Sequence, residues 1–200
     1  MTLKEEKRIW GLGYKNVAGL DEAGRGPLAG PVFAAAVMVK DQKLKMHFPK
    51  MADSKIMSAG NREIVYKLLT KDPNIEWGIG QVSEKTIDRI NIFEATKLAM
   101  QKSLKNLKAD FLILDGNFKI HSDLPQKPVI KGDSKVFSCM AAGIIAKVSR
   151  DRLMLKYHKK YPAYGFDRHK GYGTKAHFAA IKKQGICDLH RKSFSLLKKN

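Results

Sequence analysis

The stretch from Val17 to Val39 constrains the fold of this chain more than any other. Its approach, Val17-Ala18-Gly19-Leu20, is apolar and ends in two adjacent carboxylates, Asp21 and Glu22. Ala23-Gly24-Arg25-Gly26-Pro27 follows as a turn, and Phe33 to Val39 is then apolar on both faces. Short apolar runs without alternation, bounded by turn signals, read as strands buried on both sides. Residues 15–39 therefore predict two strands joined by a glycine turn. Successive strand side chains point to opposite faces, so alternation alone cannot bring Asp21 and Glu22 to one point. A twist, a bulge or a bridging cation would do so. Glycines allow close backbone approach, and N–H groups in such a turn can meet a phosphate or a sugar hydroxyl. A carboxylate capping a tight turn would give the same residues for a simpler reason.

The rest of the chain alternates helix and strand signals. Residues 1–14 are polar and basic around Trp10 and predict a short helix or lead-in. Ser58 opens a helix with Ile64, Val65, Leu68 and Leu69 at helical spacing, and Ile75 to Val82 reads as a strand. Ser83 starts a short helix, and Asn91 caps a longer one with Phe93, Met100, Leu104 and Leu107 as its core stripe. Phe111-Leu112-Ile113-Leu114 predicts a central strand ending at Asp115-Gly116. Ligand sites gather at such carboxyl ends in open α/β sheets, although an Asp-Gly pair also simply makes turns. Lys131-Gly132-Asp133-Ser134 ends the next strand and opens the longest helix, Lys135 to about Tyr157, with Asp133 or Ser134 as its N-cap. Residues 156–177 mix aromatics, cations, glycine and proline and read as a loop, with Tyr164 and Phe166 filling gaps. Thr174 opens a last helix through Lys183, and no repeat or internal boundary divides residues 1–200, which predict one domain.

Composition narrows the partner. Lys and Arg number 38 against 19 Asp and Glu, a net charge of +19 that points to a polyanion, most simply nucleic acid. A lysine-biased chain kept soluble by its charge would look similar. Cys139 and Cys187 match no zinc spacing; Cys139 reads as a small core residue, and a reducing cytoplasmic setting is expected. No secretory signal opens the sequence, and no apolar run is long enough to span a membrane.

Asp-Glu-Ala-Gly-Arg-Gly-Pro-Leu-Ala-Gly-Pro-Val, residues 21–32, resembles the signature of the bacterial type 2 ribonucleases H, ribonuclease HII. The resemblance returns in order at Asp53-Ser54-Lys55, Arg89-Ile90-Asn91-Ile92, Asp115, Lys131-Gly132-Asp133, His169-Lys170-Gly171-Tyr172-Gly173-Thr174 and His190-Arg191-Lys192-Ser193-Phe194. It implies a ribonuclease H-like α/β fold, with a mixed sheet of about five strands flanked by helices and a helical C-terminal part from about residue 156. It also implies a site of Asp21, Glu22, Asp115 and Asp133 as catalytic residues and metal ligands. Gly24, Arg25, Gly26, Lys55 and Tyr172 would contact substrate, Tyr172 at the ribonucleotide–deoxynucleotide junction. Asp151 is a rival for the fourth carboxylate, but lies about 27 Å along a helix from Asp133; flanked by two arginines, it reads as a surface ion pair.

Four clustered carboxylates repel, and burial raises their pKa values, so divalent cations must neutralise them. An oxygen-only ligand set implies Mg²⁺ or Mn²⁺. The resemblance then implies two-metal cleavage of RNA–DNA hybrids, and of duplex DNA on the 5′ side of an embedded ribonucleotide, by a monomer. The sequence departs from the family pattern at Gly143, where a small hydroxyl residue is usual. Ribonuclease HIII is the nearest rival; residues 1–14 are too few for its extra N-terminal domain. A non-catalytic basic binding module explains the charge but not acidic residues at strand ends. A nucleotide phosphotransferase lacks its Walker-type loop.

Overall fold

The computed structural model describes residues 3–41 and 57–196. In chain order the elements are α1 (Lys4–Trp10), β1 (Val17–Ala23), β2 (Val32–Val39), α2 (Ala59–Lys71), β3 (Ile75–Val82), α3 (Glu84–Ser103), β4 (Phe111–Asp115), β5 (Gln126–Val129), α4 (Gly132–Lys135), α5 (Phe137–Lys160), α6 (Phe166–His169) and α7 (Lys175–Gln184). The five strands form one mixed sheet in the order β3-β2-β1-β4-β5. Strands β1, β2 and β3 run antiparallel in sequence, whereas β4 and β5 lie parallel to β1 and to each other. This is the ribonuclease H-like architecture that the residues 21–32 signature implied.

The two apolar runs behave as their lack of alternation predicts. Every residue of β2 is buried, and β4 is buried at Leu112, Ile113 and Leu114. One face of the sheet packs Val17, Ala35, Val37 and Ile113 against α5 through Cys139, Met140, Ala142 and Ile145. The other packs Leu20, Ala34, Ala36 and Leu112 against α3 through Ala95, Ala99 and Met100. A smaller cluster of Ala29, Met154, Tyr164, Phe166 and Leu189 ties the C-terminal segment to the turn after β1. Tyr164 and Phe166 fill gaps as expected, and Cys139 is fully buried.

Two local expectations change, the start of the long helix and the place of Phe93. The long helix starts at Phe137, because Val136 is extended (φ −120°, ψ 122°) and separates it from the one-turn α4. Neither Asp133 nor Ser134 therefore caps it. Glu6 does so from across the chain, its buried Oε1 accepting from the Ser138 N–H and hydroxyl at 2.8 Å each, where a carboxylate also meets the positive end of the helix. The helices expected to begin at Ser83 and Asn91 both form: within the α3 range Asn91 is non-helical (φ 62°, ψ 168°) and separates the two segments. Asn91 Oδ1 accepts from the Phe93 and Glu94 N–H groups and so caps the second segment as expected. Phe93 leaves the core stripe and sits at the surface, edge-on to Phe118 at 5.2 Å.

Candidate active site

The ends of β1 and β4 and the start of α4 deliver the acidic residues to one place. A cleft of about 370 Å³ is lined by Asp21, Glu22, Gly24, Arg25, Gly26, Asp133 and Tyr172, together with Arg62, Gly143 and Lys147. Asp115 stands beside it, its Oδ1 accepting from the Gly132 N–H at 2.7 Å, which fixes the β4 end against the turn that carries Asp133. Register between β1 and β2 is unbroken from Ala18↔Met38 to Ala23↔Phe33, so no bulge redirects Asp21 or Glu22. They reach the same cleft because both stand at the strand's end.

Electrostatics mark the cluster. Burial, then the Glu22 and Asp115 charges, push the Asp21 carboxyl well above the ordinary carboxylate range, with Asp133 adding to the effect. The Glu22 N–H, 2.7 Å from Asp21 Oδ1, opposes this. Burial also raises Glu22, against the pull of Arg25, whose Nη1 lies 3.2 Å from Glu22 Oε1. Asp21 owes its room to Gly143: a Cβ there would stand 2.2 Å from Asp21 Oδ2. The one departure from the family pattern noted in the sequence thus touches a strongly perturbed carboxylate.

The donor set suits a hard divalent cation: all oxygen, partly desolvated and short of compensating positive charge. The oxygens line the cleft without closing on one point; among the described residues no three His, Cys, Asp or Glu side chains converge tightly enough to hold an ion. Side-chain torsions of these carboxylates would have to turn inward to do so.

Two buried arginines frame the glycine turn, and nothing in composition or spacing announced them. Arg150 donates to the carbonyls of Pro31, Ala29 and Lys170 at 3.0 Å each. It therefore joins the turn after β1 to the segment before Tyr172. Arg191 donates to the carbonyls of Gly30, Arg25 and Gly24 at 2.9, 2.9 and 2.6 Å. Burial lowers their pKa values to about 10 and about 9, so both remain cationic at neutral pH. Gly24 must be glycine twice over: its φ is +100°, and a Cβ would meet Arg150 Nε at 2.2 Å. Asp151, flanked by arginines in sequence, pairs instead with Lys147 at 2.7 Å. It is an ion pair along the helix, as expected.

Tyr172 is held from below by histidines. Its carbonyl accepts from His177 Nδ1 at 2.9 Å, and a carbonyl can only accept. His177 Nε2 then accepts from His190 Nε2 at 3.2 Å, and His190 Nδ1 accepts from the Cys187 N–H at 2.9 Å. Desolvation lowers both histidines, His177 to about 4, which keeps this chain neutral. Tyr172 is 42% exposed, and its ring stands near Gly26, where a Cβ would lie 3.7 Å from Tyr172 Cε1. Of the expected substrate contacts, Gly24, Arg25, Gly26 and Tyr172 meet in this cleft, while Lys55 lies outside the described residues. Arg62 and Lys147 are cleft cations that the sequence reading left unassigned; no motif distinguishes them from other surface cations.

Known proteins match along nearly the whole chain. The family model described as Ribonuclease HII matches residues 18–197. A ribonuclease HII of Chlamydia muridarum is 52% identical over 190 residues, covering 94% of this chain and 86% of that protein. One of Endomicrobium trichonymphae is 45% identical, covering 95% and 90%. Among solved structures, the PCNA:RNase HII complex of Archaeoglobus fulgidus matches with a TM-score of 0.75 at 26% identity, over 92% of this chain and 98% of that one. The ribonuclease H2 of Pyrococcus horikoshii OT3 matches with a TM-score of 0.72 at 25% identity, over 90% and 94%. The Bst-RNase HIII structure shares the fold at a TM-score of 0.64 and 17% identity. With its sheet order, its acidic cleft and these matches, the chain belongs to the ribonuclease HII family and is a ribonuclease H enzyme.

Proposed function

We propose that this protein nicks duplex DNA on the 5′ side of single embedded ribonucleotides and cuts the RNA strand of RNA–DNA hybrids, leaving 3′-hydroxyl and 5′-phosphate ends. The observation that carries this reading is the meeting, in one cleft, of Asp21, Glu22 and Asp133 with the Gly24-Arg25-Gly26 turn and Tyr172. Asp21, Glu22, Asp115 and Asp133 would hold two Mg²⁺ or Mn²⁺ ions. When bound, such ions activate a water and neutralise the departing 3′ oxygen. A fold neighbour, Bst-RNase HIII, is known in complex with Mn²⁺.

The chain's own groups then divide the work. Backbone atoms of the glycine turn approach the 2′-hydroxyl, the group that separates RNA from DNA. Arg25 and Lys147 offer charge to the adjacent phosphates, and the exposed Tyr172 ring stacks on the next sugar or base. The net charge of +19 draws the duplex in. The protein acts as one catalytic domain, as a monomer in the cytoplasm, in ribonucleotide excision repair and primer removal. Among the described residues no helix is long and apolar enough to cross a membrane.

A labelled DNA duplex with one ribonucleotide tests this. A single nick 5′ to the ribonucleotide in Mg²⁺ or Mn²⁺, absent in EDTA and in Asp115→Asn, is expected. Cutting confined to long hybrid tracts would replace the reading with a ribonuclease HIII-like one. Salt-sensitive binding without cutting would overturn it.

A further inference from the structure

We infer that Arg191 is the positioning residue that aims the glycine turn: its buried guanidinium turns two consecutive peptides so that the Arg25 and Gly26 N–H groups face the cleft as a donor pair for a sugar hydroxyl. This rests on the function proposed above and names the group on which its selectivity depends.

The geometry follows from the peptide itself. In a planar trans peptide the C=O and the following N–H point in opposite directions, and no cis peptide bond occurs among the described residues. The Gly24 carbonyl and the Arg25 N–H belong to one such unit; the Arg25 carbonyl and the Gly26 N–H belong to the next. Both carbonyls are drawn to Arg191, at 2.6 and 2.9 Å. Arg191 is fully buried, while Gly24, Arg25 and Gly26 line the cleft. The two N–H groups therefore leave the turn on the side away from Arg191, where the cleft opens. Successive N–H groups aligned this way make a concave site for an oxygen.

A planar guanidinium suits this task and an ammonium does not. Arg191 spans three carbonyls with a fixed fork of donors, including Gly30 at 2.9 Å, so neither peptide can rotate alone. Its own backbone is held too: the Arg191 N–H donates to Leu28 O at 2.8 Å. A point charge on a flexible stem satisfies one or two of these acceptors and leaves the others free to turn.

The test compares two duplexes that differ by one 2′-hydroxyl. Binding is measured by fluorescence anisotropy in EDTA, so that neither duplex is cut, for wild type and Arg191→Lys. Wild type is expected to prefer the ribonucleotide duplex. Arg191→Lys is expected to lose about tenfold of that preference, or to reach parity, while its affinity for the all-deoxy duplex changes by less than twofold. A merely structural role would instead weaken both affinities together. Should Arg191→Lys fail to fold, Arg191→Ala with added methylguanidinium replaces it, and recovery of the preference on addition is the expected result. Two variants that never recover the fold, an unchanged preference in Arg191→Lys, or a wild type that cuts at ribonucleotides yet binds both duplexes equally, would each overturn the inference. A wild type that does not cut at ribonucleotides in Mg²⁺ would overturn the underlying function instead, so the two failures are distinct.

Discussion

Replacing Asp21 by Asn should make the protein more stable while it stops working. Asp21 is buried, and three like charges, Glu22, Asp115 and Asp133, act on it. An acid whose folded-state pKa is raised costs stability once pH exceeds its unfolded value, near 3.8. Asparagine removes that charge and keeps the acceptor for the Glu22 N–H, while its NH₂ can donate to the neighbouring carboxylates. Relief of this kind at active sites is worth about 1–2 kcal/mol, which for a chain of this size raises Tm by about 4 °C. Thermal unfolding in EDTA at pH 8 reads it directly, and the gain should shrink as pH falls toward 4. Divalent cation should reverse the order: a ligand at 100 times its Kd adds about 2.7 kcal/mol to the protein that binds it. Wild type should therefore overtake Asp21→Asn as Mn²⁺ is titrated. An Asn variant that melts at or below wild type in EDTA, or that gains equally from Mn²⁺, would refute the account of Asp21 as a strained metal ligand.

Three further outcomes follow from the same cleft. Gly143→Ala should displace the Asp21 carboxylate by roughly 1 Å and lower kcat tenfold or more, without lowering Tm, since alanine favours the helix by up to about 1 kcal/mol; unchanged kcat would show that Asp21 does not depend on that space. Tyr172→Ala should slow cutting at single ribonucleotides by about tenfold or more while duplex affinity holds, and equal losses in both would remove the proposed contact. His177, at about 4 when folded against 6.5 when unfolded, leaves stability untouched above pH 6.5 and lets it fall by about 2 kcal/mol as pH drops toward 5. His177→Phe should flatten that slope in pH-dependent unfolding, and an unaltered slope would mean that other groups carry it.

Much of this molecule was legible from residue order because local chemistry dictated it. Val32 to Val39 could only be a strand covered on both faces, and Asn91 capped a helix segment as its side chain allows. The meeting of Asp21, Asp115 and Asp133 became readable through a family resemblance, since spacings of tens of residues say nothing about proximity. Arg150 was not legible, and Arg191, though inside the resembling His190–Phe194 segment, carried no legible role. Each looks like one more cation in a basic chain, and only tertiary structure shows that their guanidiniums point inward to carbonyls. The same holds for Glu6, which caps a helix that begins 131 residues later, beyond the reach of any local pattern.

The bonds from Arg191 to Gly24 and Arg25 span 167 and 166 residues. Synthesis thus gives the molecule a chronology. Its four acidic residues have all been added once Asp133 is translated, 58 positions before Arg191. At 5–20 residues per second that interval lasts about 3–12 s. A nascent chain carries its four site carboxylates through those seconds while the turn proposed to distinguish ribose from deoxyribose still lacks its anchor. If Arg191 aims that turn as inferred, selectivity would be the last property the chain acquires, and a ribosome that stalls shortly before position 191 would release a chain with its four carboxylates present and its discrimination unfinished.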